Sequence, residues 1–112
     1  MRGSAAFDRL ARDGRSVRCG VLEIRYVLDG GGAAPRVGFA VGRRVGSAVV
    51  RNRLRRRLRA VMQELSAPGR AALPPGDYLI RARPGAAGAP YARLLRDAGQ
   101  ALERISLRED PS

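Results

Sequence analysis

Residues 36–65 read RVGFAVGRRVGSAVVRNRLRRRLRAVMQEL, and the fold turns on how that stretch divides. Its first part alternates. Over Arg36–Gly42, Val37, Phe39 and Val41 fall on one face of an extended strand, and Gly38, Ala40 and Gly42 fall on the other. The second face is almost bare backbone, open to close approach by a packed helix or by a bound nucleotide chain. From Ser47 the period becomes helical. Val50, Leu54, Leu58, Val61 and Leu65 line one side, Ser47 suits the N-cap, and Ala67-Pro68-Gly69 is a stop. The aliphatic stripe has to bury against a sheet.

The rest of that helix is arginine. Eight arginines fall between positions 43 and 59: Arg43, Arg44, Arg51, Arg53, Arg55, Arg56, Arg57 and Arg59. On a helical wheel Asn52, Arg55, Arg56 and Arg59 lie opposite the aliphatic stripe. Arg51 and Arg57 sit at its borders, with Arg53 between border and outer face. No acidic residue occurs from Gly30 to Gln63. Like charges four residues apart, as in Arg51–Arg55 and Arg55–Arg59, destabilise a helix by a few tenths of a kcal/mol each. A solvated face normally mixes signs, so an unmixed one points to an external source of negative charge. Asn52 is a weak helix former whose amide both donates and accepts, as recognition of a base or ribose requires. Val45-Gly46 allows close backbone approach near the helix N-terminus, where free N–H groups favour a phosphate, and reads equally well as a plain turn.

Outward from this stretch the elements are shorter. Ala5–Arg12 suits a helix capped by Ser4, Asp13-Gly14 turns the chain, and Arg15–Arg18 suits an edge strand. Val21–Leu28 alternates, with Leu22, Ile24, Tyr26 and Leu28 on one face and Glu23 and Arg25 on the other. Asp29 and the glycines at 30–32 read as a flexible connection. After a Pro-rich turn, Asp77–Arg83 is a strand with Tyr78, Ile80 and Ala82 on one side and Leu79 and Arg81 on the other. Tyr91, Leu94, Leu95, Ala98, Leu102 and Ile105 mark a last amphipathic helix, and residues 108–112 read as a frayed end. The expected fold class is α+β, a single-domain sandwich of a sheet with helices over residues 1–112.

Composition narrows the chemistry. The chain has 112 residues, a net charge of +12 and no lysine, so every basic side chain is an arginine. That surplus favours a polyanionic partner, nucleic acid or an anionic membrane surface. With no histidine, a His general base and a His-ligated metal are excluded. With Cys19 alone, internal disulfides and cysteine-cluster zinc sites are excluded, and Cys19 reads as a buried small residue. Glu23, Asp29, Asp77 and Asp97 are scattered without paired catalytic spacing, which leaves an independent nuclease without metal ligands. No run approaches the roughly 18 apolar residues of a membrane span, and Asp8 and Arg9 interrupt any export signal, so a cytoplasmic location is expected, with no membrane partner.

The ordered run Arg36 to Arg59 resembles the signature of the bacterial ribonuclease P protein family: a basic pair, Arg43-Arg44, then Val45-Gly46, Ala48-Val49 and Arg51-Asn52-Arg53. The resemblance extends to Phe7 with Asp13-Gly14-Arg15 and to Ala82-Arg83-Pro84-Gly85, covering roughly residues 5–107. It implies a four-stranded α+β sandwich similar to the second domain of ribosomal protein S5, with a left-handed βαβ crossover. It implies a subunit of the ribonucleoprotein endoribonuclease that removes the 5′ leader from precursor tRNA. The partners would be the catalytic RNA and precursor tRNA, with no protein partner required. Cleavage chemistry would reside in the RNA and its Mg2+, with no metal bound by the protein alone and no catalytic residue in it. By the same resemblance Arg43, Arg44, Arg51, Asn52, Arg53, Arg55, Arg56 and Arg59 face the catalytic RNA. Phe7 and Tyr26 fall on a cleft for the leader, where rings could stack on bases. Ala11 stands where the family often carries a second aromatic. The other reading is a standalone basic RNA binder of ribosomal or chaperone type. A major-groove DNA reader has only Asn52 to offer beside its arginines.

Overall fold

The computed structural model describes residues 4–28, 35–67 and 73–108, with side chains from residue 8 onward. The elements in chain order are α1 (Ser4–Asp13), β1 (Arg15–Cys19), β2 (Leu22–Leu28), β3 (Arg36–Ala40), α2 (Ala48–Leu65), β4 (Gly76–Ala82) and α3 (Tyr91–Arg108). Short 3₁₀ turns at Arg43–Val45 and Pro84–Gly88 lead into α2 and α3. The glycine run at 29–32 and the stop at Pro68-Gly69 lie outside the described residues.

The sheet is mixed, in the order β1-β2-β4-β3. β1, β2 and β4 pair antiparallel, while β3 runs parallel to β4. Adjacent parallel strands need a crossover, and α2 supplies it. Gly20 turns the β1–β2 hairpin with φ +58, and a Cβ there would collide with the Asp97 carboxylate. Only glycine meets both conditions, so Gly20→Ala should lower the melting temperature by several degrees (a loss of roughly 1–3 kcal/mol), read by thermal unfolding.

Alternation along β2 and β4 sorts the two faces. Leu22, Ile24 and Tyr26 join Tyr78, Ile80 and Ala82 on the side covered by α2 and α3. There they meet Leu54, Leu58, Val61 and Met62 of α2 and Leu94, Ala98, Ala101 and Ile105 of α3, all buried. The α2 stripe is the one read from the sequence, with two adjustments. Met62 joins it, and Val50 and Leu65, near the two helix ends, are only half-buried. Ser47 caps α2, its Oγ accepting from the Val50 N–H at 3.3 Å. Ser47→Ala should therefore cost about 1 kcal/mol in a urea titration. β3 stops at Ala40, two residues earlier than the alternation suggests, yet Val41 remains buried in the core.

The opposite face carries Arg25, Asp77, Leu79 and Arg81 and is partly roofed by α1, which packs over β2 and β4. Leu10 of α1 is buried, but much of the attachment is polar. Arg25 donates to the Leu10 carbonyl at 2.6 Å through Nε and to the Ala11 carbonyl at 2.9 Å through Nη2, taking up carbonyls of the last helical turn. Asp77 is fully buried. It accepts two hydrogen bonds from Arg36 of β3, at 2.7 and 3.0 Å, and one from Arg9 of α1 at 3.2 Å. One carboxylate thus ties α1 and β3 to the central strand β4. At the far edge of the sheet, Arg104 and Arg108 of α3 donate to the Arg18 and Ser16 carbonyls of β1, at 3.2 and 3.3 Å.

Candidate nucleic-acid interface

The 3₁₀ turn ahead of α2 is pinned by Val45, which is buried, so its neighbours Arg43 and Arg44 stay exposed. Gly46 follows with φ +156, and a Cβ there would press on Val50 at 2.9 Å. The chain therefore enters α2 with bare backbone beside the Ser47 cap.

Along α2 the polar face divides. Asn52, Arg53, Arg56 and Arg59 recur at helical spacing and are exposed. Arg55 is half-buried and folds back: its Nη1 donates to Asn52 Oδ1 at 2.9 Å and its Nη2 reaches the Val41 carbonyl at 3.4 Å. The wheel places Arg55 at the centre of the outward face, but a long guanidinium beside a strand end finds a carbonyl there. The Asn52 oxygen is thereby used, and its amide nitrogen remains a donor for an outside acceptor. Arg51 is half-buried, with its Nε sealed from solvent and unpartnered. Arg57, at the other border, donates to the Ala89 carbonyl at 2.9 Å and braces α2 against the approach to α3.

Among the described residues no carboxylate forms an ion pair with any of the eight arginines from Arg43 to Arg59. Four of the acids are committed elsewhere. Asp77 holds Arg9 and Arg36, Asp97 holds Arg93 and Arg96, Glu23 faces Arg81, and Glu64 accepts from the Tyr91 hydroxyl. The cationic face is neither turned inward nor neutralised from within the described chain.

A second feature lies beneath α1. A cleft of about 530 Å³ opens between that helix and the sheet, lined by Asp8, Ala11, Ser16, Glu23, Arg25 and Arg81 together with Leu10 and Leu79. Beside it, Gly38 and Ala40 of β3 share a face with Arg36, on the side where α1 sits, and α1 packs chiefly on β2 and β4. Phe7 lies on α1, but its side chain falls outside the described residues. Tyr26 is not in this cleft. The β2 alternation turns it to the opposite face, where it is 1% exposed, packs 6.5 Å from the Tyr78 ring and accepts from Arg108 at 3.5 Å. Arg25 and Arg81 are the cleft residues that the sequence reading passed over; their alternation with Ile24 and Ile80 was the available signal. Among the described residues no group of three or more Cys, Asp or Glu gathers where it could hold a metal ion, and no helix is long and apolar enough to cross a membrane.

The sequence profile of the Ribonuclease P family matches residues 1–106. The chain belongs to the ribonuclease P protein family. Relatives agree along nearly its whole length. The ribonuclease P protein component of Beutenbergia cavernae is 40% identical over 108 residues, covering 96% of this chain and 88% of that one. That of Thermobifida fusca is 39% identical over 114 residues, covering 95% and 75%. The ribonuclease P protein of Staphylococcus aureus superposes with a TM-score of 0.80 at 20% identity, over 94% of this chain and 93% of that one, a likeness of fold. For a member of this family, the expected α+β sandwich and four-stranded sheet are present, with the arginine face of α2 on the surface.

Proposed function

We propose that this chain is the protein subunit of ribonuclease P, gripping the catalytic RNA with the outward face of α2 while the RNA carries out removal of the 5′ leader from precursor tRNA. The observation that carries the reading is the stripe Asn52, Arg53, Arg56 and Arg59, with Arg43 and Arg44 at its head, free of carboxylate partners among the described residues. Planar guanidinium groups meet phosphate oxygens two at a time, and a run of them suits the dense negative charge of a folded RNA backbone. Membership of the family disfavours the standalone RNA binder.

The leader is assigned to the cleft under α1. Its lining offers Arg81 for phosphate, and the bare strip of Gly38 and Ala40 beside it allows close passage of the strand. Tyr26 has no stacking role there, so contact with the leader is left to Phe7 on α1, to the backbone and to charge, none of which reads sequence. Magnesium is placed with the RNA, and no ligand set is assigned to this chain. The site of action is the cytoplasm.

The test mixes the protein with a bacterial ribonuclease P RNA and precursor tRNA at low magnesium. Cleavage should exceed that of the RNA alone, and the protein alone should cleave nothing; unaltered cleavage counts against the reading. Arg81→Ala, at an exposed position, should raise KM for precursor tRNA a few-fold, about one charged contact or ~1 kcal/mol. Binding of mature tRNA, which lacks the leader, should be unchanged.

A further inference from the structure

We propose that the outer face of α3 is an interface for a second copy of this chain. A groove of about 630 Å³ runs along that face, walled by Leu65 and Leu73 on one side and by Leu95 and Leu102 of α3 itself. Among the described residues, none of the eight arginines from Arg43 to Arg59 and none of α1 lines it. Ala92, Leu95, Gly99, Leu102 and Ser106 recur at alternating steps of three and four, the spacing of a helix seam that packs against another helix.

Two further observations say what covers the seam. Gly99 sits mid-helix, where glycine costs roughly 1 kcal/mol relative to alanine. Among the described residues a Cβ there would meet only Leu65 Cδ2 at 3.6 Å, an ordinary contact, so their packing does not require glycine. A bare backbone at that point lets another helix lie close. The flanking charges then name the helix. Arg96 and Glu103 are seven residues apart on the same flank, both exposed. Glu103 has no ion pair among the described residues, and Arg96 makes only a long 3.7 Å contact to Asp97. Turning a copy of α3 end for end brings Arg96 of each chain to Glu103 of the other. A two-fold interface must match itself in this way. Repulsion between two bodies of net charge +12 opposes this pairing, so salt is needed to reveal it.

Sedimentation equilibrium of the full chain at about 0.5 M salt, where screening reaches within ~4 Å, leaves the contact pair while damping the repulsion. A monomer–dimer equilibrium is expected. Arg96→Glu or Glu103→Arg alone should weaken it about tenfold, and the two together should restore it to within about threefold. Gly99→Leu should abolish it, with helical circular dichroism and RNA binding retained as evidence of folding. A wild-type chain that stays monomeric at its highest soluble concentration would overturn the proposal. So would a dimer indifferent to both single reversals and to Gly99→Leu, which would place its interface on another surface.

Discussion

Asp77→Ala should remove about 3–5 kcal/mol of folding stability, measured by urea unfolding. The carboxylate is fully buried and is held by Arg36 through two hydrogen bonds and by Arg9 through one. Its loss strands two guanidinium groups against the sheet, and breaking a buried pair costs more than the pair itself contributes. The side chains of Arg9 and Arg36 are 35% and 56% exposed, so both can turn partly to water, which puts the expectation at the lower end of that range. A domain of this size has only about 5–15 kcal/mol in hand, so the variant sits close to the threshold of folding. Asp13→Ala is the control. Its pair with Arg12 is exposed on both sides, and removing it should change stability by less than about 1 kcal/mol. If Asp77→Ala matches that control, the carboxylate is not the fastening described above.

The second large effect is on binding. Arg53→Ala, Arg56→Ala and Arg59→Ala combined should weaken binding to the catalytic RNA about a hundredfold, on the order of 1 kcal/mol for each exposed charged contact. The slope of log affinity against log salt should become shallower by about 2–3, since each phosphate contact contributes roughly 0.7–0.9. All three side chains are exposed and form no ion pair among the described residues, so the fold should survive. Removing like charges from one helix face should even stabilise it slightly. Arg55 and Arg57 are poorer probes, because each also holds a backbone carbonyl of the protein. An unchanged salt slope in the triple variant would sink the electrostatic grip.

The α2 region was legible because its two signals are local. A 3.6-residue aliphatic period and a serine cap fix where the helix starts and which side it buries, and the arginines follow on the other side. The strands were legible for the same reason, through alternation over Leu22–Leu28 and Gly76–Ala82. What alternation cannot supply is which face of the sheet each helix covers. Tyr26 was assigned to the cleft under α1 by resemblance, and the register of β2 sends it instead into the core with Tyr78. Asp77 looked like a scattered acid because its partners Arg9 and Arg36 lie 68 and 41 residues away in sequence. Arg55 looked like the middle of the exposed face because a wheel tracks Cα directions and not the reach of a flexible side chain.

The guanidinium groups of Arg104 and Arg108 on the β1 carbonyls have a consequence for storage and crowding. An outermost strand with open hydrogen-bonding groups is a template on which another molecule can zip up. Here two carbonyls of β1, those of Ser16 and Arg18, are taken by side chains from the last helix, each carrying a permanent positive charge that also repels an approaching copy. Shaken concentrated samples should therefore stay clear of fibrils, and Arg104→Ala with Arg108→Ala should bring out thioflavin-positive aggregation first.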